Sequence, residues 1–324
     1  MKNKMTMFTL KVVRKLYSII VNSSVSTPIY EGYIGKWNED ANGYIYSKLI
    51  EDKPIMISKF GTIELNALVS HKMKMQENYS VADLIAFITG KIPNLWWPIK
   101  LDALCTNAGF FPNEKKLLAE FYRVNSNAAK EIDILGSYIE KECYLKEFII
   151  DAVKVNLDGY YAPFLYEKPW TKALEGKKVL VIHPFVEEIK SQYARKKLIW
   201  KDPNILPDFE LLTYKPVVSM LGQQTKYNNW FDALIQMEDD ISKLDFDVAI
   251  IGCGAYGMPL SAFVKNMGKK SIHLAGWTQV LFGIKGKRWD DLPHISRFYT
   301  SAWIRPNSTS RPEGMIAIEK GCYW

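Results

Sequence analysis

The sequence is poor in cysteine and has no long hydrophobic run. Its 324 residues include four cysteines that lie far apart, without a C-x-x-C pair or a histidine at zinc-ligand spacing. We therefore expect neither a disulfide framework nor a zinc-binding module, and predict reduced thiols in the cytoplasm. No stretch reaches 18 apolar residues and no small-residue cleavage site follows the N-terminus, so neither a membrane span nor a secretory signal is predicted.

Acidic residues are absent from the first 30 positions. This segment carries five basic residues, which account for +5 of the net charge of +7, so residues 31–324 carry only +2. A protein that binds DNA or RNA is expected to present a basic stripe on its folded domain. The nearly neutral charge of residues 31–324 therefore argues against a nucleic-acid partner.

Residues 1–30 have the pattern of a basic amphipathic helix. At about 100° per residue, apolar side chains cover most of the helix surface and the cations share one arc. Such a helix lies on a membrane surface with its cations at anionic headgroups, which predicts contact with the inner face of the cell membrane. The alternatives are a helix packed on the protein's own core and a partly disordered start. The cations of the arc are Lys4, Lys11, Arg14 and Lys15.

The rest of the sequence alternates short apolar runs with helical patterns, in a composition of 48% hydrophobic and 24% charged residues that is typical of globular domains. The continuous apolar runs indicate a buried parallel sheet, so we predict a Rossmann-like α/β fold with a mostly parallel sheet flanked by helices. No internal repeat or Ser/Gly linker divides residues 31–324, which we interpret as one domain. Strands are predicted at 54–58, 132–135, 176–184, 210–214, 246–252 and 271–274, and helices at 63–75, 115–131, 228–243 and 258–267.

The first candidate site follows the strand at 54–58, where the chain turns at Gly61 and enters a helix. The free N–H groups of that first helical turn favour an anion, and Lys59 adds a positive charge. Glu64 offers a carboxylate that could hold a metal ion or accept a proton. In the alternative interpretation Thr62 caps the helix and Glu64 only complements its dipole, with Leu65 at the third helical position and no capping box.

The second candidate is a G-x-G-x-x-G pattern formed by Gly252, Gly254 and Gly257, between a predicted strand and a predicted helix. Taken alone it indicates an NAD(P)- or FAD-dependent oxidoreductase. Such a site needs a carboxylate at the end of the next strand to bind the ribose, and none follows residues 271–274. The glycines remain compatible with close approach of a nucleotide diphosphate, or with a purely structural turn.

The third candidate is a glycine-rich cationic loop that could clamp a pyrophosphate. Neighbouring polar and aromatic side chains suit a sugar ring, although a charged run is often only a solvated loop. The cations are Lys285, Lys287 and Arg288, and the sugar-binding candidates are Thr278, Gln279 and Trp289.

His183 is a further substrate-binding candidate, because it ends a predicted strand at the edge where ligands bind in open α/β sheets. The alternative is a structural histidine with satisfied hydrogen bonds. A shared ligand site requires that segments 59–64, 252–257 and 285–288 meet in one cleft.

These segments carry a family resemblance. Residues 251–260, 268–270, Gln279 with 282–289, and 321–324 resemble a group of bacterial proteins associated with surface-polysaccharide synthesis. Lys59-Phe60-Gly61 with Glu64 is similar to the Arg-Phe-Gly-Asp-Gly-Glu segment of the GT-D type glycosyltransferases. The first resemblance covers roughly residues 176–324, and the second is one short motif.

The resemblance implies a glycosyltransferase that moves a sugar from a nucleotide-sugar donor, with a UDP-sugar as the first candidate, to a glycan or lipid-linked acceptor. It also implies a divalent metal ion, Mn²⁺ or Mg²⁺, at an Asp-x-Glu pair. Thr62 stands where the family has Asp, which leaves Glu64 as the single carboxylate, and Lys59 replaces Arg. Cationic side chains could then take the place of the metal. A non-catalytic component of a polysaccharide assembly complex remains the other alternative beside an oxidoreductase.

Overall fold

The computed structural model describes residues 4–21, 33–75, 79–91, 95, 101–311, 314–317 and 321–324. Within these residues seven strands form one sheet in the order β3-β2-β1-β7-β6-β4-β5, and every neighbouring pair is parallel. The prediction of a Rossmann-like α/β fold is therefore confirmed. The strands are β1 (Ile55–Ser58), β2 (Ile134–Ser137), β3 (Val153–Asn156), β4 (Lys178–Ile182), β5 (Glu210–Tyr214), β6 (Val248–Ile251) and β7 (Lys270–Ile272).

Helices flank the sheet on both faces. Each of the four helices predicted within residues 31–324 has a counterpart in the structure. The helices are α1 (Lys4–Ile20), α2 (Asn38–Ile50), α3 (Thr62–Met75), α4 (Val81–Ile88), α5 (Leu101–Ala108), α6 (Leu118–Lys130), α7 (Leu157–Tyr161), α8 (Val186–Ala194), α9 (Lys196–Ile199), α10 (Trp230–Ser242), α11 (Gly257–Asn266), α12 (Trp277–Leu281), α13 (Lys287–Asp290) and α14 (Pro293–Ser296).

Two hydrophobic cores lie on opposite faces of the sheet, because successive side chains of a strand point to opposite sides. In β4, Leu180 and Ile182 belong to one core, and Val179 and Val181 to the other. Both faces are covered, which explains why the inner strands consist of continuous apolar runs.

The connections between strands create a crevice at the carboxyl edge of the sheet. Strands β4 and β6 are neighbours, yet the chain leaves β4 towards β5 and leaves β6 in the opposite direction, towards β7. Where neighbouring strands are left in opposite directions, the loops diverge and open a space for ligands.

The N-terminal helix α1 packs against α4, and the guanidinium of Arg14 lies 4.8 Å from the ring centroid of Phe87. Among the described residues, no helix combines the length and the hydropathy that crossing a bilayer requires. Residues 1–3 and 22–30 of the predicted basic segment lie outside the described residues. All four cysteines are free thiols.

Candidate functional site

A cleft of about 480 Å³ opens at the carboxyl edge of the sheet. That volume lies in the range of sites for small molecules and cofactors. In the described chain, six of the seven strands are each followed directly by a residue that lines this cleft. These residues are Lys59, Tyr138, His183, Lys215, Gly252 and His273.

Loops from distant parts of the chain complete the walls and are tied to one another by hydrogen bonds. The hydroxyl of Tyr138 donates to the carbonyl of Phe60 at 3.0 Å and lies 3.3 Å from Oγ1 of Thr62, which fixes the bend after β1. On the opposite wall, the hydroxyl of Ser219 donates to the carbonyl of Gly109 at 2.5 Å and lies 3.3 Å from the hydroxyl of Tyr256.

Parts of all three segments singled out in the sequence line this one cleft. Eight of the residues chosen as site candidates are in its lining: Lys59, Gly61, Glu64, His183, Gly252, Gly254, Gln279 and Arg288. The other five, Gly257, Thr278, Lys285, Lys287 and Trp289, are outside it.

The two lysines of the cationic loop differ from Arg288 in where they lie. Nζ of Lys285 is 5.1 Å from the ring centroid of Tyr299, and Lys287, although exposed like Arg288, is not among the residues that line the cleft. The guanidinium of Arg288 lies 4.8 Å from the ring centroid of Tyr323 and donates to Sγ of Cys322 at 3.2 Å. Only Arg288 of the three therefore contributes to the cleft lining.

Trp289 and Thr278 are both fully buried beneath the cleft. The Trp289 ring packs directly against the backbone of Gly286. A Cβ at position 286 would lie only 2.6 Å from the ring, so glycine is needed there for the indole to be buried. Oγ1 of Thr278 lies under Gly252, where a Cβ would meet it at 2.8 Å. Both side chains therefore support the floor of the site.

The glycines of the G-x-G-x-x-G turn are explained by protein neighbours. A Cβ on Gly257 would collide with the ring of His273, and one on Gly252 would meet Cδ2 of His183 at 2.8 Å. Gly254 has a φ of 59°, in the left-handed region that favours glycine. Strand β7 follows α11 and pairs with β6, as in a dinucleotide site, but the residues after it, 273–276, include no carboxylate.

The cleft lining is strongly cationic. Among the described residues it contains the cations Lys59, Lys215, Arg288 and Arg311 and the single carboxylate Glu64. Burial alone would lower the pKa of Lys59, but Tyr161, Tyr138 and Glu64 raise it above its ordinary value, so the ammonium group is charged at neutral pH. An excess of positive charge in a walled cleft favours an anionic ligand.

Glu64 is the third residue of α3, because the helix begins at Thr62 and the amide of Leu65 donates to the carbonyl of Gly61 at 2.8 Å. The expectation that Leu65 takes the third position was therefore wrong by one residue. A side chain at position 61 would collide with the Glu64 carboxylate, which folds back over the bend. A carboxylate at this position stabilises the helix start and also faces the cleft.

The residues around Glu64 do not fit a resident divalent metal ion. Mn²⁺ and Mg²⁺ prefer several oxygen ligands, with carboxylates in the first place. In the described part of the chain no group of three or more His, Cys, Asp or Glu side chains could hold a metal ion, and the charge next to Glu64 is that of Lys59. The nearby Glu142 accepts hydrogen bonds from Ser137 and from two backbone amides instead.

Two buried histidines in the cleft are neutral. Burial lowers the pKa of His183 to about 3, and burial together with the charge of Lys59 lowers the pKa of His273 to about 3. Nδ1 of His183 accepts a hydrogen bond from the amide of Phe185 at 3.1 Å, which places the ring proton on Nε2. His183 therefore acts as a neutral hydrogen-bond donor.

The neutral state of His273 makes stability pH-dependent. The unfolded-state pKa is about 6.5 and the folded-state pKa is lower, so this stabilisation is present above about pH 6.5 and is lost as the pH falls. We expect His273→Asn to reduce the pH slope of the unfolding free energy by about 1.0–1.3 kcal/mol per pH unit between about pH 5 and 6. Urea denaturation measures this slope. The exposed His294→Asn serves as control, and equal slopes in wild type and His273→Asn would contradict the prediction.

Two residues of the cleft lining each carry a buried acceptor without a partner among the described residues: Oε1 of Gln279 and Oδ1 of Asn107. Nε2 of Gln279 donates to the carbonyl of Tyr323 at 3.0 Å, which fixes the orientation of the amide. Because an unpaired buried acceptor is costly, both oxygens favour a ligand that brings hydroxyl or N–H donors.

Sequence reasoning missed several lining residues. Lys215 directly follows the predicted strand at 210–214, so the position after a predicted strand was a signal that could have identified it. His273 follows β7 in the structure but lies within the predicted strand at 271–274, so that signal did not mark it. Asn107, at the end of α5, and Arg311, close to the C-terminus, reach the cleft through loop packing, for which the sequence offers no comparable signal.

No protein-family model, curated protein or solved structure matches the chain. The resemblance to GT-D type glycosyltransferases therefore stays a prediction. What the cleft binds has to be inferred from its own residues and geometry.

Proposed function

We propose that the protein is a glycosyltransferase that uses a nucleotide-sugar donor, with a UDP-sugar as the first candidate. One observation carries this proposal: the bend at 59–64, the turn at 252–254 and Arg288 line one cationic cleft at the carboxyl edge of a parallel sheet. In such sheets this edge is where nucleotide ligands are bound.

The anionic end of the donor is assigned to the cations around the bend. Lys59 and Arg288 supply fixed positive charge, and the first residues of α3 line the same cleft, where the positive end of the helix dipole favours an anion. Arginine can bind two phosphate oxygens with its planar fork, whereas lysine acts as a point charge. A nucleoside diphosphate matches both kinds of group.

The neutral end of the donor is assigned to the polar and aromatic lining. The unpaired oxygens of Gln279 and Asn107 accept from sugar hydroxyls or from base N–H groups, and His183 donates from Nε2. Tyr138 and Tyr323 offer aromatic faces for a base or a sugar ring.

The reaction follows from this assignment. Glu64 accepts the proton of an acceptor hydroxyl while that oxygen bonds to the anomeric carbon of the donor sugar. The bond from the anomeric carbon to the diphosphate oxygen breaks, and its electron pair leaves with the nucleoside diphosphate. Lys59 and Arg288 stabilise the charge that develops on this leaving group, which lowers the barrier. The acceptor is a glycan or a lipid-linked glycan, as in surface-polysaccharide synthesis.

A thermal-shift screen of UDP-, GDP-, CMP- and dTDP-sugars, each with Mn²⁺ and with EDTA, tests the proposal. At a donor concentration of about 100 times Kd, we expect a UDP-sugar to raise Tm on the order of 5 °C. The rise should persist in EDTA, because the cleft supplies its own cations. UDP should give most of the rise and uridine little of it.

Adding NADH and NADPH to this screen separates the alternatives. A rise with NADH or NADPH alone would indicate an oxidoreductase, against which the missing carboxylate after β7 already argues. No rise with any nucleotide sugar would leave a non-catalytic component of an assembly complex and would overturn the transferase proposal.

A further inference from the structure

Helix α1 turns its most apolar surface to solvent. In a helix of 3.6 residues per turn, the exposed apolar side chains of α1 fall on one arc of about 140°. These side chains are Met5, Phe8, Val12, Val13, Leu16, Ile19 and Ile20, which are between 39% and 81% exposed. We call this arc the apolar face of α1.

A different side of α1 contacts the protein. Thr6, Met7, Leu10, Arg14 and Tyr17 are half-buried and recur at helical spacing on the opposite side, where α1 packs against α4. The apolar face is therefore not the surface that attaches the helix to the fold. Its exposure cannot be explained by packing within the described chain.

Basic side chains border the apolar face. Lys11 and Lys15 are exposed and lie along one edge of it, and residues 1–30 contain no acidic residue. The partner helix α4 adds two exposed apolar side chains, Val81 at 72% and Ile85 at 54%. An apolar arc edged by lysines is the pattern of helices that lie in the interface of an anionic membrane.

We propose that the apolar face of α1 docks on an anionic phospholipid bilayer, with Phe8, Leu16 and Ile19 in the acyl boundary and Lys11 and Lys15 at the headgroups. Charge complementarity favours this occupant over a second copy of the chain, because α1 offers no carboxylate to pair with the lysines of another α1. Each basic side chain near such a surface strengthens binding about fivefold. This docking is independent of the ligand in the cleft, because no residue of α1 lines it.

Co-sedimentation of the full chain with vesicles tests this inference. We expect binding at least about tenfold tighter to phosphatidylcholine vesicles that contain phosphatidylglycerol than to phosphatidylcholine alone. Leu16→Ser with Ile19→Ser should weaken binding to the anionic vesicles by at least about tenfold, because two apolar side chains leave the acyl boundary. Lys11→Glu with Lys15→Glu should weaken this binding by at least as much. High salt should weaken the binding of wild-type protein to the anionic vesicles.

The matched controls make equivalent changes elsewhere on the surface. Leu198→Ser with Ile235→Ser alters two side chains, on α9 and α10, that are each 63% exposed, and Lys177→Glu with Lys201→Glu makes the same charge change at two exposed lysines. Circular dichroism and Tm show whether each variant folds, and the lysine variants test the inference even if the serine variants do not fold.

Three results would overturn the inference. Wild-type protein could fail to sediment with anionic vesicles, or the controls could lose as much binding as the α1 variants. Alternatively, light scattering could show a dimer that Leu16→Ser with Ile19→Ser converts to a monomer without any vesicle binding, which would make the apolar face a protein interface.

Discussion

Glu64→Gln is expected to lower the rate of sugar transfer by about 10²- to 10⁴-fold, the usual contribution of a general base. Glutamine cannot accept the proton of the acceptor hydroxyl. It can still hydrogen-bond at the helix start, since Gln and Glu both serve at the third helical position. We therefore expect Tm and donor binding to change little, and steady-state transfer with saturating donor to show the loss in kcat.

Glu39→Gln is the matched control for this substitution. Glu39 lies in the first turn of α2, is exposed and does not line the cleft, so it reproduces the loss of a carboxylate at a helix start. Transfer by Glu39→Gln should equal that of wild type. If Glu64→Gln retained wild-type transfer, Glu64 would have only its role at the start of α3.

Much of the sheet could be predicted because buried parallel strands need apolar side chains on both faces. The runs at β4 and β6 are continuous for this reason and were recognised directly. Strand β3 was missed because its sequence, Val-Lys-Val-Asn, alternates, and only its last two residues are buried. Among the seven strands its one neighbour is β2, so it lies at the edge of the sheet, where one-sided burial is sufficient. Its outer side forms a single isolated bridge, between Val155 and Lys36.

The cleft was only partly predictable because its lining depends on two kinds of information. A residue at the end of a parallel strand reaches the ligand edge whatever the loops do, as Lys59 and His183 illustrate. Within the cationic loop, however, the backbone of α13 and contacts with Cys322 and Tyr323 select Arg288 over its neighbours. Spacing along the chain carries no information about those contacts.

The glycine pattern shows a different limit of sequence reasoning. A phosphate and a protein side chain impose the same requirement at a glycine, which is the absence of a Cβ. In this fold the ring of His273 occupies the space beside Gly257. The pattern therefore indicates that some group approaches the backbone closely, but it does not identify that group.

Arg288→Gln is expected to lower kcat/KM for the donor by about 10²- to 10³-fold. The stacking of the guanidinium on Tyr323 and its hydrogen bond to Cys322 hold the charge at the cleft before the donor arrives. The variant therefore loses both the charge and its fixed position. The kcat/KM of Arg288→Lys should lie between those of wild type and Arg288→Gln, because lysine keeps the charge but loses the planar fork and the stacking on Tyr323.

Lys287→Gln provides a control in the same loop, one residue away. Lys287 is exposed and does not line the cleft, so removing its charge should change kcat/KM by less than about threefold. Calorimetric titration with UDP measures the binding part of the effect separately from turnover. Equal losses of kcat/KM in Lys287→Gln and Arg288→Gln would mean that the loop attracts the donor through its net charge alone. A loss confined to Arg288→Gln would mean that the donor needs a cation at the position where Tyr323 and Cys322 hold Arg288.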